Sequence, residues 1–306
     1  MARPSILVTG AAGFLGRRVA SEANKQGCRV IGLGHGQIDV TQAWNRDVAE
    51  WHQGDVTLAA LQACAHDVEI IFHCAGSASV AHSVEDPVSD FRRSVDTTLA
   101  VLEYIRLSKR NIRLVLPSSA GVYGHAAAGP LLVSQQPNPI SPYGVHKRIA
   151  EEICESYATQ YGLHCSIVRL FSVYGEGLKK QLLWDACTKL STGNSEFFGT
   201  GEETRDWVHV DDSARLILLA ARHASPLCPI VNGGGGEGVA VRDVISVLAA
   251  AFPAAPPIRF SQQARSGDPA HYQADISEAG AWGWSPTRHW REGVAAYANW
   301  FLEAAG

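Results

Sequence analysis

Ser5-Ile6-Leu7-Val8-Thr9-Gly10-Ala11-Ala12-Gly13-Phe14-Leu15-Gly16 runs from an apolar segment, through glycines spaced three apart, into an amphipathic one. Gly10 permits a tight turn, Gly13 lets backbone approach a pyrophosphate, and Gly16 lets helix and strand pack closely. A helix opening here offers unpaired N–H groups and a partial positive charge to an anion. A glycine triplet alone often marks only a tight turn. A strand before it and a helix after it point to nucleotide binding, with Gly10, Gly13, Phe14, Leu15 and Gly16 as candidate contacts.

Outward from this turn, apolar runs alternate with helical patterns. Residues 6–9, 29–33, 70–73, 113–117 and 166–170 read as strands, and 15–26, 87–108 and 143–161 as helices. The repetition predicts an α/β fold with a doubly wound, parallel Rossmann sheet, its strands apolar because helices cover both faces. After Tyr174 the rhythm breaks. Helices are expected at 181–190, 211–223, 241–252 and 291–305, and strands at 204–210 and 229–232. The chain's 306 residues exceed the roughly 250–300 at which single cores stop growing. Residues 1–174, with a returning segment at about 204–235, are expected to form the dinucleotide-binding domain. Residues at about 175–203 and 236–306 would form a smaller C-terminal substrate-binding lobe. The glycines 233–236 are followed by no Lys-Ser/Thr pair, so a plain strand-to-helix turn is expected there rather than a phosphate loop.

A net charge of -4 leaves no electrostatic footprint for nucleic acid or an anionic membrane. The first apolar run is too short for a signal peptide or a membrane span, which predicts a cytoplasmic protein. The seven cysteines are scattered and lack any Cys-x-x-Cys. They read as reduced core thiols rather than metal ligands or disulfides, and no metal is expected.

An enzyme using NAD commonly ends its second strand in an acid that grips the ribose 2′-hydroxyl. Here Val30-Ile31-Gly32-Leu33 runs into Gly34-His35-Gly36 instead. His35, with Arg17 or Arg18, could face a 2′-phosphate, which leans towards NADP and leaves NAD open; the arginines read equally as solvated helix surface. Asp55, followed by Val56, comes after a third apolar element and is a candidate for the adenine. Cys74, Ala75 and Gly76 end the fourth strand, and their small side chains would let a cofactor lie across the strand ends.

Tyr143 and Lys147 stand four apart at the start of a helix and share one face. A phenol ionises near pH 10, so serving as a base at pH 7 needs about 4 kcal/mol of help. An ammonium at about 4 Å supplies on the order of 4 kcal/mol at an effective dielectric near 20. Acid–base chemistry at a carbinol oxygen then needs no metal. Ser118 and Ser119 end the fifth strand, where a hydroxyl can bond the same oxygen. Serines there read otherwise as loop caps, and Tyr-x-x-x-Lys alone is a common accident.

With these residues in hand, the chain resembles the extended short-chain dehydrogenase/reductase family, in its nucleotide-sugar epimerase/dehydratase branch. The likeness rests on residues 9–16, 73–80 followed by Pro87, 118–124, 143–147, 169–175, 205–212, 265–268 and 283–286. It implies Ser119, Tyr143 and Lys147 as a catalytic triad. It implies that Arg205 and Arg265 meet the phosphates of a nucleotide-diphosphate sugar and that Asp268 helps at the nucleotide. Ser79, Ser118, Ser119 and Ser172 fall on the substrate side, and a homodimer through 87–108 and 143–161 is expected. Lys179 and Lys180 could serve the diphosphate or be a solvated pair.

The chain also departs from the branch. Dehydratases carry Thr-Asp-Glu where this chain has Ser119-Ala120-Gly121, so 4,6-dehydration is disfavoured. Ser172 and Ser94 stand where asparagines are usual. The resemblance thus implies a 4-epimerase, in which Tyr143 takes the 4-hydroxyl proton while hydride leaves and then returns to the other face of the sugar. The alternative is an NADPH-dependent 4-ketoreductase. A non-catalytic NAD(P)-sensing scaffold is disfavoured because both Tyr143 and Lys147 are present.

Overall fold

A computed structural model describes residues 3–36, 47–125, 129–263 and 271–305. The chain divides into two compact units. The first comprises Met1–Gly124, Gln136–Leu170 and Ser213–Val231, and the second His125–Gln135, Phe171–Asp212 and Asn232–Gly306. The elements begin with β1 (Ser5–Thr9), α1 (Phe14–Lys25), β2 (Arg29–Gly34), β3 (Glu50–Gln53), α2 (Leu58–Cys64) and β4 (Ile70–His73). There follow α3 (Val80–Glu85), α4 (Pro87–Phe91), α5 (Thr97–Ser108), β5 (Arg113–Ser119), α6 (Pro142–Tyr161) and β6 (His164–Leu170). Next come β7 (Ser172–Tyr174), α7 (Gln181–Ser191), β8 (Glu196–Phe197), β9 (Thr204–His209), α8 (Val210–His223) and β10 (Ile230–Gly233). The chain closes with β11 (Gly238–Ala240), α9 (Val241–Ala249), β12 (Arg259–Phe260), α10 (Ser277–Ala281) and α11 (Trp290–Ala305).

The central sheet has the order β10-β6-β5-β4-β1-β2-β3. The pairings that link β3, β2, β1, β4, β5 and β6 are parallel. Strand β1 is buried along its whole length, as a strand with helices on both faces must be. Leu7, Ile31, Ile71, Leu102, Leu114 and Ile167 share one apolar core. The strand order reverses between β1 and β4, and in such sheets ligands bind outside the carboxyl ends at that reversal.

Helix α6 has clear local causes. Ser141 accepts a hydrogen bond from the Gly144 N–H at 3.2 Å, Pro142 occupies the first turn, and Gly162 ends the helix at φ +69°. Each residue suits its position. The single helix expected over 87–108 is instead interrupted by a π-helical turn, Arg92–Asp96. The Thr97 and Thr98 hydroxyls donate to the carbonyls of Arg93 and Ser94, both at 2.6 Å, and such back-bonding bends helices. The element before Asp55 is also less apolar than expected. It is the half-exposed edge strand β3, Glu-Trp-His-Gln.

In the second unit β9 lies between β11 and β7, and β12 pairs with β8. Trp184 of α7 packs against Trp300 and Phe301 of α11. The glycines after β10 lead into β11 and only then into α9, so the turn joins strand to strand. Buried Asp206 accepts hydrogen bonds from the N–H groups of Gly235, Gly236 and Ala274. Two amides of the glycine run are therefore committed to a carboxylate of the chain itself. No helix among the described residues is long and apolar enough to cross a membrane.

Burial pushes the Asp206 carboxyl up to about 6, against the pull of its three N–H donors. A folded-state value above the ordinary 3.8 means that its contribution to stability is full below that value and is lost as pH rises through about 6. Between pH 7 and pH 5 the wild type should therefore gain about 1 kcal/mol relative to Asp206→Asn. Thermal melts of both proteins at the two pH values check this, and a gap that does not change with pH refutes it.

Candidate active site

The glycine turn is shaped by contact between backbones. Gly10 has φ +66°, and a Cβ there would lie 2.7 Å from the Ala75 nitrogen and 2.9 Å from the Cys74 carbonyl carbon. A Cβ on Gly16 would collide with the Gly10 carbonyl. Gly10 donates to the Leu33 carbonyl at 2.7 Å, and Gly13 donates to Gly10 at 2.8 Å. Helix α1 starts at Gly13 with no side-chain cap and no acid in its first turn. The amides of Phe14, Leu15 and Gly16 thus belong to an uncapped helix start, which fits a pyrophosphate.

His73 and Thr9 fix the floor of this turn. The Ala75 N–H donates to Thr9 Oγ1 at 3.2 Å, Thr9 Oγ1 lies 2.7 Å from His73 Nδ1, and Thr97 Oγ1 lies 3.3 Å from His73 Nε2. Burial, with the Lys147 charge adding to it, pushes the imidazole down to about 3, so it is neutral. The Thr97 hydroxyl proton is already given to Arg93. Thr97 must therefore accept from Nε2–H, leaving Nδ1 to accept from Thr9. The ends of β1 and β4 and the π turn are tied by one chain of hydrogen bonds. The Cys74 thiol beside it is pushed up to about 12 by burial, with Lys147 opposing.

Gly76 continues this segment towards the catalytic groups. A Cβ on it would sit 3.6 Å from Lys147 Nζ and 3.7 Å from the Arg93 carbonyl oxygen. Lys147 Nζ donates to the Pro117 carbonyl at 3.3 Å and lies 5.9 Å from the centroid of the Tyr143 ring. Gly121 shows how near Ser119 and Tyr143 come to one another. A Cβ on it would touch Ser119 Oγ and the Tyr143 ring, each at 3.4 Å. Tyr143, Lys147 and Ser119 therefore gather at the carboxyl end of β5, next to the end of β4. Ser118 Oγ is buried without a hydrogen-bond partner among the described residues, as is Ser94 Oγ.

The other expected residues fall as follows. His35 Nε2 lies 2.8 Å from Asp55 Oδ1, and this exposed pair stands just beyond the ends of β2 and β3; Val56 is buried beside it. Ser79 caps α3, accepting from the His82 N–H at 3.2 Å. Ser172 and Arg205 belong to the second unit. Ser172 lies opposite Trp207 in the β7–β9 pairing, and Arg205 donates to the Thr204 carbonyl at 2.9 Å. Lys179 Nζ stands 5.8 Å from the centroid of the Trp184 ring. Arg265 and Asp268 lie outside the described residues.

Sequence reasoning missed Ser83. It is fully buried, accepts the Tyr143 N–H at 3.0 Å and donates to Val80 at 2.7 Å. It thus holds the first turn of α6, and a serine on a short helix gives no sequence signal for that. The roles of Thr9 and Thr97 were equally hidden, because they depend on contacts across 64 and 24 residues of chain.

Gly10→Ala should cost about 2 kcal/mol or more, since a left-handed residue would also meet fixed backbone, and it should weaken dinucleotide binding. Gly27 has φ +83° with open space around it, so Gly27→Ala is the control and should cost only about 1 kcal/mol. Denaturant melts and titration with NADH check both. Equal costs would show that the close approach at Gly10 is unimportant.

Residues 6–232 match the family described as "NAD dependent epimerase/dehydratase family". The UDP-glucose 4-epimerase of Mycolicibacterium smegmatis is 31% identical, over 96% of this chain and 97% of that one. The UDP-glucose 4-epimerase of Thermotoga maritima, solved with UDP-glucose, superposes with a TM-score of 0.88 at 27% identity, covering 99% of this chain and 100% of that one. MoeE5, solved with UDP-glucuronic acid and NAD, gives a TM-score of 0.87 at 28% identity, covering 98% and 99%. A glycine-spaced turn at the end of β1, a tyrosine–lysine pair at the start of α6 and a family match over residues 6–232 agree: the chain belongs to the NAD-dependent epimerase/dehydratase family of extended short-chain dehydrogenases/reductases.

Proposed function

We propose that this chain is a 4-epimerase of a UDP-hexose that keeps NAD bound through its turnover. The observation that carries this is the meeting of Ser119 Oγ and the Tyr143 ring around Gly121, with Lys147 on the same face of α6. Tyr143 takes the proton of the sugar 4-hydroxyl as that carbon becomes a ketone, and gives it back when the carbon is reduced on its other face. Ser119 holds the same oxygen, and Lys147 stabilises the phenolate through its charge. A nicotinamide dinucleotide, when bound, supplies the oxidant and reductant; Gly10, Gly13, Gly16 and the start of α1 would hold its pyrophosphate. Ala120 and Gly121 put no carboxyl beside Ser119, so the positions after Ser119 supply no acid to expel a 6-hydroxyl.

The preference for NAD rests on MoeE5, which carries NAD. Against it stands the missing acid at the end of β2. At that strand end His35 Nε2 lies 2.8 Å from Asp55 Oδ1. The purified protein, with no cofactor added, should interconvert UDP-glucose and UDP-galactose without net change in absorbance at 340 nm. Tyr143→Phe should lower kcat by about 10²–10⁴. Stoichiometric oxidation of NADPH by a 4-keto sugar nucleotide would replace this function with a ketoreductase. UDP-glucuronate is the second substrate to try.

The protein is also proposed to be a homodimer. Helices α4, α5 and α6 leave Phe91, Leu99, Leu107, Val145 and Tyr161 exposed, a set that would be covered by a second copy. Sedimentation at micromolar concentration should give twice the 32.8 kDa of one chain, and Leu107→Glu with Val145→Glu should give monomers. A wild-type monomer at that concentration disproves the dimer.

A further inference from the structure

Behind the candidate catalytic groups lies a buried charged pair. Arg169 on β6 is 2% exposed and Glu151 on α6 is 0% exposed. Arg169 donates from Nε to Glu151 Oε1 at 3.0 Å and from Nη2 to Oε2 at 2.9 Å. Its Nη1 donates to the Tyr123 hydroxyl at 3.0 Å, and its guanidinium carbon lies 4.9 Å from the centroid of the Tyr123 ring. Arg148 Nη1 adds a contact to Glu151 Oε2 at 3.3 Å.

The three residues sit on the three pieces of chain that carry the chemistry. Glu151 is one helical step beyond Lys147 and two beyond Tyr143, on the same face of α6. Arg169 is paired in register with Ser118, and Leu170 with Ser119. Tyr123 ends the 3-10 turn Ala120–Val122 that follows Ser119. A buried ion pair of this kind is weak as a source of stability, because desolvation offsets most of the attraction. Its fixed bidentate geometry does set position: the fork fits the carboxylate in one orientation only.

We infer that Glu151, Arg169 and Tyr123 form a buried positioning triad that sets the placement of Tyr143 and Lys147 against Ser119, and so governs turnover rather than binding. This rests on the epimerase function proposed above. None of the three reaches the reacting atoms, so they are positioning residues. Tyr143 and Lys147 ride on one helix and keep their mutual spacing. What the triad fixes is the distance from that helix to the serine end of β5. A misplacement of about 1 Å at that scale costs up to about 100-fold in rate.

Two variants test this. Glu151→Leu combined with Arg169→Met removes the charges together and keeps the volume apolar, a replacement that buried pairs commonly tolerate. Tyr123→Phe removes one hydroxyl and leaves the ion pair intact. With rates expressed per chain carrying cofactor, kcat should fall by about 10- to 100-fold in the double variant and by a smaller factor in Tyr123→Phe. KM should stay within about twofold. The 4-keto sugar lost per turnover, trapped with borohydride, should rise, because a ketone whose oxygen is held loosely by Ser119 and Tyr143 is reduced less efficiently before it escapes. That ratio does not depend on how much protein is active. Wild-type kcat and wild-type keto loss in the folded variants overturn the positioning role. So does a fall in rate matched entirely by a fall in cofactor occupancy, since that describes a purely structural cluster. If the double variant does not fold, Tyr123→Phe decides by the same two readouts. Tyr143→Phe in the unaltered background separates the two levels. Loss of turnover there with normal triad variants sinks the positioning role alone; full turnover there sinks the epimerase chemistry and the triad with it.

Discussion

The close approach of two backbones at the carboxyl edge of the sheet, Gly10 against Cys74 and Ala75, is the constraint on which the rest of the site depends. With no side chain at Gly10 or Gly16, strand β1 can turn into α1 beside the end of β4. Thr9 then reaches His73, and His73 reaches Thr97. The segment 74–76 is laid between the glycine turn and Lys147, so the proposed cofactor turn and the proposed proton-transfer groups meet at one edge. Any side chain at Gly10 would meet the end of β4, and a Cβ on Gly76 of that same segment would stand 3.6 Å from Lys147 Nζ.

The charges around this edge are arranged by burial. His73 is stripped of its charge by desolvation beside Lys147, which avoids two cations in one dry space. Lys147 is left as the cation next to Tyr143. Behind them Arg169 keeps its charge: burial draws the guanidinium down, but Glu151 and the Tyr123 oxygen outweigh it and the net shift is upward. Lys147 Nζ stands 5.9 Å from the centroid of the Tyr143 ring on its own helix, while the Arg169 guanidinium is engaged by Glu151 and Tyr123.

What the sequence revealed divides along the range of the contacts involved. The strands at 6–9, 70–73, 113–117 and 166–170, the glycine turn and the Tyr143–Lys147 pair are local patterns, and each is legible in a window of a few residues. Ser83, Thr97 and the Glu151–Arg169 pair act across the fold and carry no local signature. The π turn at Arg92–Asp96 was hidden for a related reason. An apolar helical pattern persists through it, and only the back-bonding threonines betray the wider turn. In the second unit, β7, β8, β11 and β12 are two or three residues long, too short for periodicity to register. The glycines 233–236 join strand to strand rather than strand to helix, and the buried aspartate that takes the Gly235 and Gly236 amides lies 29 and 30 residues away, beyond any local window.

Reaction type follows from what stands beside the proton-transfer pair. A site that eliminates water needs a second acid or base, aimed at a neighbouring carbon, besides the group that works on the carbinol oxygen. After Ser119 this chain places Ala120, Gly121 and Val122, and none of them titrates. Gly121 leaves open the space in which Ser119 Oγ and the Tyr143 ring approach each other, and an acidic side chain there would fill it. One proton site and one oxygen-holding hydroxyl suffice for oxidation and reduction at a single carbon. Chemistry confined to one carbon with nothing eliminated ends either in inversion at that carbon or in its net reduction, and which of the two occurs is decided by whether the cofactor leaves between turnovers. On the function proposed above, the hold of Gly10, Gly13 and Gly16 on a dinucleotide would therefore determine the product as much as Tyr143 does.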